Sequence, residues 1–157
     1  MASEREIEAF LIREADLIDR HRLDEWLTLF ITEAIYWVPA TPEQKSGIEE
    51  ISHIYDDRML LETRVRRLQH ALIHAQRPAS RTVHLITNIR RAEDQPEGAV
   101  AVDSNQLVTE WRGERMRQFA GFCRHELVES AAGLRIRLKR FDLIDADAPH
   151  EGISIIL

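Results

Sequence analysis

With 157 residues, 44% of them hydrophobic, the chain is long enough to bury roughly 70% of the surface its unfolded form exposes, and it reads as one globular domain over 1–157. A formal charge of -6 excludes the net basic surface that phosphate neutralisation asks for, so nucleic acid is not an expected partner. No run approaches the ~18 apolar residues of a membrane span, and the start Met1-Ala2-Ser3-Glu4-Arg5-Glu6 is acidic where a secretory signal is apolar; a cytoplasmic protein without a membrane partner is expected.

Ser3 with Glu6 three residues on is a capping-box pattern, and Ile7, Phe10, Leu11, Leu17 and Ile18 follow at helical spacing, which predicts a first amphipathic helix. Leu23, Trp26, Leu27 and Phe30 predict a short second helix, and Ile35-Tyr36-Trp37-Val38 before Pro39 predicts a strand. Thr41 to Gly47 is a polar loop. Ile51, Ile54, Leu61, Val65, Leu68 and Leu72 then recur at spacings of three, four or seven, which predicts a long third helix with a break near Asp56. From Thr82 the period changes to two, in the segments 82–90, 100–111, 116–128 and 134–144. The turns between them, 92–98, 112–114 and 130–133, hold residues that tolerate turn geometry, so consecutive antiparallel strands are expected. In the last strand Leu134, Ile136 and Leu138 alternate with charged residues before the apolar phase moves to Phe141 and Leu143, which predicts a bulge near Lys139-Arg140. Helices first and strands after give an α+β fold, N-terminal helices packed on a curved antiparallel sheet.

Cys123 is the sole cysteine, so an internal disulfide is excluded, as is any iron-sulfur or zinc site that needs several thiolates from one chain. The residue itself is expected as a small buried hydrophobe. His70 and His74 lie four apart and could share a helical face with Glu62 or Asp57 as a carboxylate; helical periodicity already explains the spacing, and no metal site is predicted. Tyr55, Asp56, Asp57 and Arg58 could serve as acid, base and carbonyl polariser, or as a polar cluster whose aspartates cap the following turn and pair with Arg64, Arg67 or Arg81; the structural role is preferred. His84 and Asn88 sit on one strand, two pleats apart and on the same side, and His84 is read as a hydrogen-bonded residue near a subunit contact. Apolar residues fall on both phases of the strands: Tyr36 and Val38 oppose Ile35 and Trp37, and Phe119 and Leu127 oppose Ala120, Phe122 and Val128. The helices can cover one face, so the other is expected to meet another chain, with Arg115, Arg117 and Arg124 placed for charged hydrogen bonds there.

The run Tyr55-Asp56-Asp57-Arg58-Met59-Leu60-Leu61 with Arg64-Val65-Arg66-Arg67-Leu68, followed by Pro78-Ala79-Ser80-Arg81-Thr82-Val83-His84-Leu85-Ile86-Thr87-Asn88-Ile89, resembles the signature of the small (beta) subunit of aromatic-ring-hydroxylating dioxygenases. Ser104 to Val108, Phe119 to Phe122 with His125-Glu126-Leu127, and the closing Ile153 to Leu157 are similar to that family too, while Gln106 stands where an aromatic is common and Gly121-Phe122-Cys123-Arg124 where Gly-Arg-Arg is. The resemblance implies the cone-shaped fold of nuclear transport factor 2-like proteins, and a small subunit that itself does no chemistry in aromatic catabolism. It implies a large (alpha) subunit carrying a Rieske [2Fe-2S] cluster and a mononuclear non-haem iron, three large with three small subunits, the small ones as a trimer. Electrons would come from NAD(P)H through a reductase and in some systems a ferredoxin. No cofactor or catalytic residue is expected in this chain; Tyr55, Asp57, Arg58, Arg64, Arg81, His84, Asn88 and Arg117 are its candidate interface residues. The short length leans toward members that act on aromatic carboxylates. The rival reading is a self-contained isomerase or dehydratase with Tyr55, Asp56 and His84 in the cone; a third is a binding module with an apolar pocket.

Overall fold

The computed structural model describes residues 1–74 and 79–157; Pro78, which opens the strand-side signature, lies outside the described residues. Helix α1 spans Glu4–Asp19 and starts on the expected capping box, with Ser3 Oγ accepting from Glu6 N and Glu6 Oε2 accepting from Ser3 N at 2.7 Å. Its buried stripe is Ile7, Leu11, Glu14, Ala15 and Ile18, a carboxylate among aliphatics. Helix α2 is Leu23–Leu27, and Phe30 belongs to the next element instead: β1 runs Phe30–Pro39, longer than Ile35–Val38. Phe30 leaves the helix because it pairs in the sheet opposite Ile136, whose N–H donates to Leu29 O at 2.7 Å, and Trp26 packs edge-on against it at 4.8 Å, so α2 and the start of β1 share one apolar seam.

The stretch after the polar loop departs from the predicted helix. Ser52–Asp56 is strand β2, antiparallel to β1 with Val38 opposite Ile54 and Tyr36 opposite Asp56. Ile51 and Ile54 fit helical spacing, yet Ile54 and Asp56 also fit alternation, and edge-on contact of Tyr55 with Trp37 at 5.7 Å decides for the strand. Helix α3 then spans Arg58–His74, capped by Asp57, whose Oδ1 accepts from Leu60 N at 3.0 Å.

Strands β3 (Arg81–Arg91), β4 (Val100–Arg112), β5 (Arg115–Ser130) and β6 (Gly133–Leu143) complete a six-stranded sheet in the order β2-β1-β6-β5-β4-β3. The sheet is antiparallel except between β1 and β6, which pair in parallel, Phe30 against Ile136. Gly113 and Glu114, both at positive φ, make the tight β4–β5 turn that the strand twist favours. The predicted bulge exists but sits earlier, at Arg137: Glu126 faces Leu138 and Leu127 faces Ile136. That extra residue turns Lys139, with Phe141 and Leu143, onto the inner face and Leu138 outward. A second irregularity at Asn88, φ 56°, corrects the idea that His84 and Asn88 share a side: His84 is buried and Asn88 exposed.

The core lies between the inner sheet face and the helices, with Trp26, Phe30, Tyr36, Leu61, Phe119, Leu127, Ile136 and Phe141 buried, each such side chain stabilising by roughly 1.5–3 kcal/mol. Ile155, Ile156 and Leu157 close it, and Leu157 N donates to Tyr36 Oη at 2.9 Å. The architecture is the α+β cone that the sequence resemblance implies.

Candidate functional site: an ion-paired interior and an open sheet face

The inner face carries a charged cluster that the sequence reading missed. Glu14 of α1, His125 of β5 and Lys139 of β6 are 2%, 0% and 1% exposed. Glu14 Oε1 accepts from Lys139 Nζ at 2.6 Å, and Glu14 Oε2 lies 3.1 Å from His125 Nε2; on the other side His125 Nδ1 lies 3.7 Å from Cys123 Sγ. Burial opposes the charge on Glu14, but Lys139 and then His125 outweigh it and hold the carboxyl well below the usual range. Burial likewise opposes a charged His125, and the neighbouring Cys123 and Glu14 overcome it, raising the imidazole to about 9. A carboxylate fixed between two cations is a poor proton acceptor at neutral pH, so this cluster fastens α1 to the sheet instead of exchanging protons with a substrate. Two cues were present in the sequence: Glu14 falls in the apolar stripe of α1, and His125 in the inward phase of Phe119, Cys123 and Leu127. Lys139 was concealed by the displaced bulge.

The β2–α3 junction is also structural in geometry. Asp56 is buried and accepts from Arg64 Nε at 2.6 Å and Arg64 Nη2 at 3.2 Å, the pairing expected for one of the three arginines named. Asp57 caps α3, and Arg58 donates to Glu62 at 2.9 Å, to Leu27 O at 2.9 Å and to Phe30 O at 3.2 Å, tying three elements together. Tyr55 lies on the outer face against Trp37 and Gly47, where a Cβ on Gly47 would stand 1.9 Å from the Tyr55 ring. The His70 and His74 rings lie 4.5 Å apart, tilted by 46°, on the exposed end of α3, and among the described residues no three metal-ligating groups gather.

His84 occupies the opposite edge of the sheet. Its Nδ1 lies 2.6 Å from Asp19 Oδ1 and its backbone N donates to Asp19 Oδ2 at 2.9 Å, while Thr82 Oγ1 donates to Oδ1 at 2.8 Å. Burial works against the Asp19 charge; the His84 and Thr82 hydrogen bonds more than offset it and lower the carboxyl. With β2 and β3 at the two ends of a six-strand order, Tyr55 and Asp56 stand about 24 Å along the sheet from His84. The three polar groups of the isomerase reading are therefore not brought together.

The outer face is covered at one end and open at the other. Over β1 and β2 the loop folds back: Gln44 is buried, its Nε2 donating to Ser52 Oγ and Ser46 O at 2.9 Å, and the Arg140 guanidinium lies 4.2 Å over Trp37. Over β3 to β5 an apolar row crosses the strands, Leu85 opposite Leu107 opposite Ala120, with Ile144 next to Ala120. Val83 and Leu85 are 56% exposed and Phe122 57%. The arginines expected to serve a partner are already engaged within the chain: Arg115 with Glu151 at 2.8 Å, Arg124 with Asp94 at 3.0 Å, and Arg117 near Glu110 at 3.9 Å and over the Phe119 ring. Arg81 is exposed beside Val83.

The chain is similar in sequence to oxygenase components of known name. The chain is 36% identical over 155 residues to the small oxygenase component of the p-cumate 2,3-dioxygenase system of Pseudomonas putida, covering 97% of this chain and 86% of that one. It is 31% identical to the 2-halobenzoate 1,2-dioxygenase small subunit of Burkholderia cepacia, covering 96% and 93%. Among solved structures, the beta subunit of benzoate 1,2-dioxygenase from Burkholderia mallei superposes with a TM-score of 0.82 at 27% identity, covering 99% of both chains. The model of the ring hydroxylating beta subunit family matches residues 13–148, and the chain belongs to that family.

Proposed function

We propose that the chain is the non-catalytic small subunit of an aromatic-ring-hydroxylating dioxygenase, a scaffold that holds an iron-bearing large subunit in place. The observation that carries this reading is the contrast between the two sheet faces. Inside, Glu14, His125 and Lys139 neutralise one another and the acid–base candidates lie at opposite edges; outside, an apolar row is left open, as a surface that meets another chain would be. The donor set agrees: a lone, buried Cys123 does not provide the thiolates of a Rieske cluster, and in this reading the large subunit holds both the cluster and the mononuclear iron.

By the same reading three large and three small subunits assemble, the small ones as a trimer, in the cytoplasm. NAD(P)H supplies electrons through a reductase, with or without a ferredoxin. Exposed Arg81 and Asn88 border the open face and are its nearest interface candidates, while Tyr55, Asp57, Arg58, Arg64, His84 and Arg117 act by shaping the elements behind the contacts. The relatives named for p-cumate, 2-halobenzoate and benzoate point to an aromatic carboxylate as the substrate class.

Co-expression with an iron-bearing large subunit of this dioxygenase class tests the proposal. The two chains are expected to co-purify as a defined oligomer, with benzoate-dependent oxygen uptake, given a reductase, only when both are present. Turnover of a small carbonyl or hydroxylated compound by this chain alone would overturn it in favour of the isomerase or dehydratase reading.

A further inference from the structure

A cavity of about 190 Å³ opens where the ends of α1 and α3 meet the start of β3, the end of β4 and the segment after β6. Its body is apolar, formed by Ile18, Leu23, Leu68, Leu72, Ile155 and Ile156. An apolar hole of about 150 Å³ admits benzene and stays dry when empty, because water needs two to four polar partners. Here the polar groups, His21, Ser80, Thr82, Arg112 and Ser154, lie beside the aliphatic body. Ser80 Oγ donates to Glu110 Oε2 at 2.5 Å and Thr82 Oγ1 to Asp19 Oδ1 at 2.8 Å, so each proton is committed to a carboxylate. Those carboxylates are in turn occupied, Asp19 by His84 at 2.6 Å and Glu110 by Arg117 at 3.9 Å, which mutes their repulsion of an incoming anion. Arg112 differs: among the described residues its guanidinium makes one hydrogen bond, a long one of 3.3 Å from Nη1 to Ser154 Oγ, and its other N–H donors remain for a ligand.

We propose that this cavity binds a single-ring aromatic carboxylate, with the ring in the aliphatic body and the carboxylate on the Arg112 fork. A guanidinium matches a carboxylate in two parallel hydrogen bonds, and the aliphatic wall takes the ring face without a polar group left unpaired. A ligand of this size reaches a dissociation constant on the order of 0.1 to 1 mM. The inference stands on the cavity and does not depend on the assembly proposed above.

The test is titration of the purified full-length chain with benzoate, toluene and acetate, followed by ligand-observed NMR and calorimetry. Benzoate is expected to saturate, and acetate, which lacks the ring, to bind at least about tenfold more weakly. Arg112→Gln, on the exposed end of β4, is expected to weaken benzoate about tenfold while leaving toluene unchanged. Ala71→Trp, from an exposed position on α3 that borders the cavity, is expected to exclude both ligands with the circular dichroism spectrum intact. Absence of saturable benzoate binding up to about 10 mM overturns the proposal, as does acetate binding as tightly as benzoate or an Arg112→Gln chain that loses nothing. A chain that assembles with the large subunit yet fails these titrations loses the cavity site alone; a chain that binds benzoate but finds no partner loses the subunit role alone.

Discussion

Glu14 is the residue on which the interior turns. Its carboxylate is the counterion of two buried cations, so Glu14→Gln leaves Lys139 and His125 without one, and an uncompensated buried charge costs about 3–5 kcal/mol. Urea denaturation of the purified variant checks this, and Lys139→Met, which leaves a carboxylate and an imidazolium to pair, is expected to cost less. The pH dependence follows from the directions of the two shifts. His125 is raised from its ordinary 6.5 to about 9, so its contribution, up to about 3 kcal/mol, is complete below pH 6.5 and lost as pH rises through 9. Glu14 is lowered, so its contribution is complete above its ordinary value of 4.5 and lost as pH falls below it. Comparing the chain with His125→Gln by urea titration, the stability gap is expected to narrow from about pH 6 to about pH 10. A gap that stays constant would show a neutral His125.

At the scale of elements, the start of α3 and the β5–β6 seam are the points where small changes are felt. Asp57→Ala removes the cap from Leu60 N and is expected to cost about 1 kcal/mol in thermal or urea unfolding. Gly121 in β5 faces Leu143, and a Cβ there would stand 2.1 Å from the carbonyl oxygen of Asp142, which is backbone and cannot swing away. Gly121→Ala is therefore expected to cost about 2 kcal/mol or more, measured as a lowered melting temperature. These elements also show what could be read from residues alone. The capping box at Ser3 and the four period-two strands are local patterns, and they hold; of the arginines offered to the aspartates, Arg64 is the one that pairs with Asp56. Strand β2 was not legible because Ile51 and Ile54 fit helical spacing while the alternating pair, Ile54 and Asp56, includes a charged residue, and the deciding contact, Tyr55 on Trp37, joins segments separated by a loop. Lys139 was not legible because its side depends on one unpaired residue, Arg137. The cluster it completes is formed by three elements distant in sequence, and no local pattern announces such a meeting.

For the whole molecule, the open face over β3 to β5 is the feature that separates a subunit from a free-standing enzyme. Leu85→Lys and Phe122→Glu place charges on solvent-facing positions, so the isolated chain is expected to keep its melting temperature within a few degrees. Buried in a contact, either charge would be without a partner, and size-exclusion chromatography with light scattering is expected to show loss of the oligomer. Retention of the full assembly by both variants would place the contact elsewhere. The exposure of this face was anticipated from apolar residues on both strand phases, whereas the arginines thought to rim it proved to serve the chain's own loops.

The parallel contact of β1 with β6 has a kinetic consequence. Strands β3 to β6 are joined by short reversals and can zip together soon after they meet, but β1, which pairs locally with β2 through its second half, joins the rest of the sheet only when Phe30 reaches Ile136, across most of the polypeptide. Closing so large a loop is slow, so refolding after dilution from denaturant is expected to show the C-terminal hairpins protected from hydrogen exchange before the amides of residues 30–35, the part of β1 that β2 does not reach. Until that late step the β6 edge stays naked, and a chaperone or the large subunit arriving early would find it there.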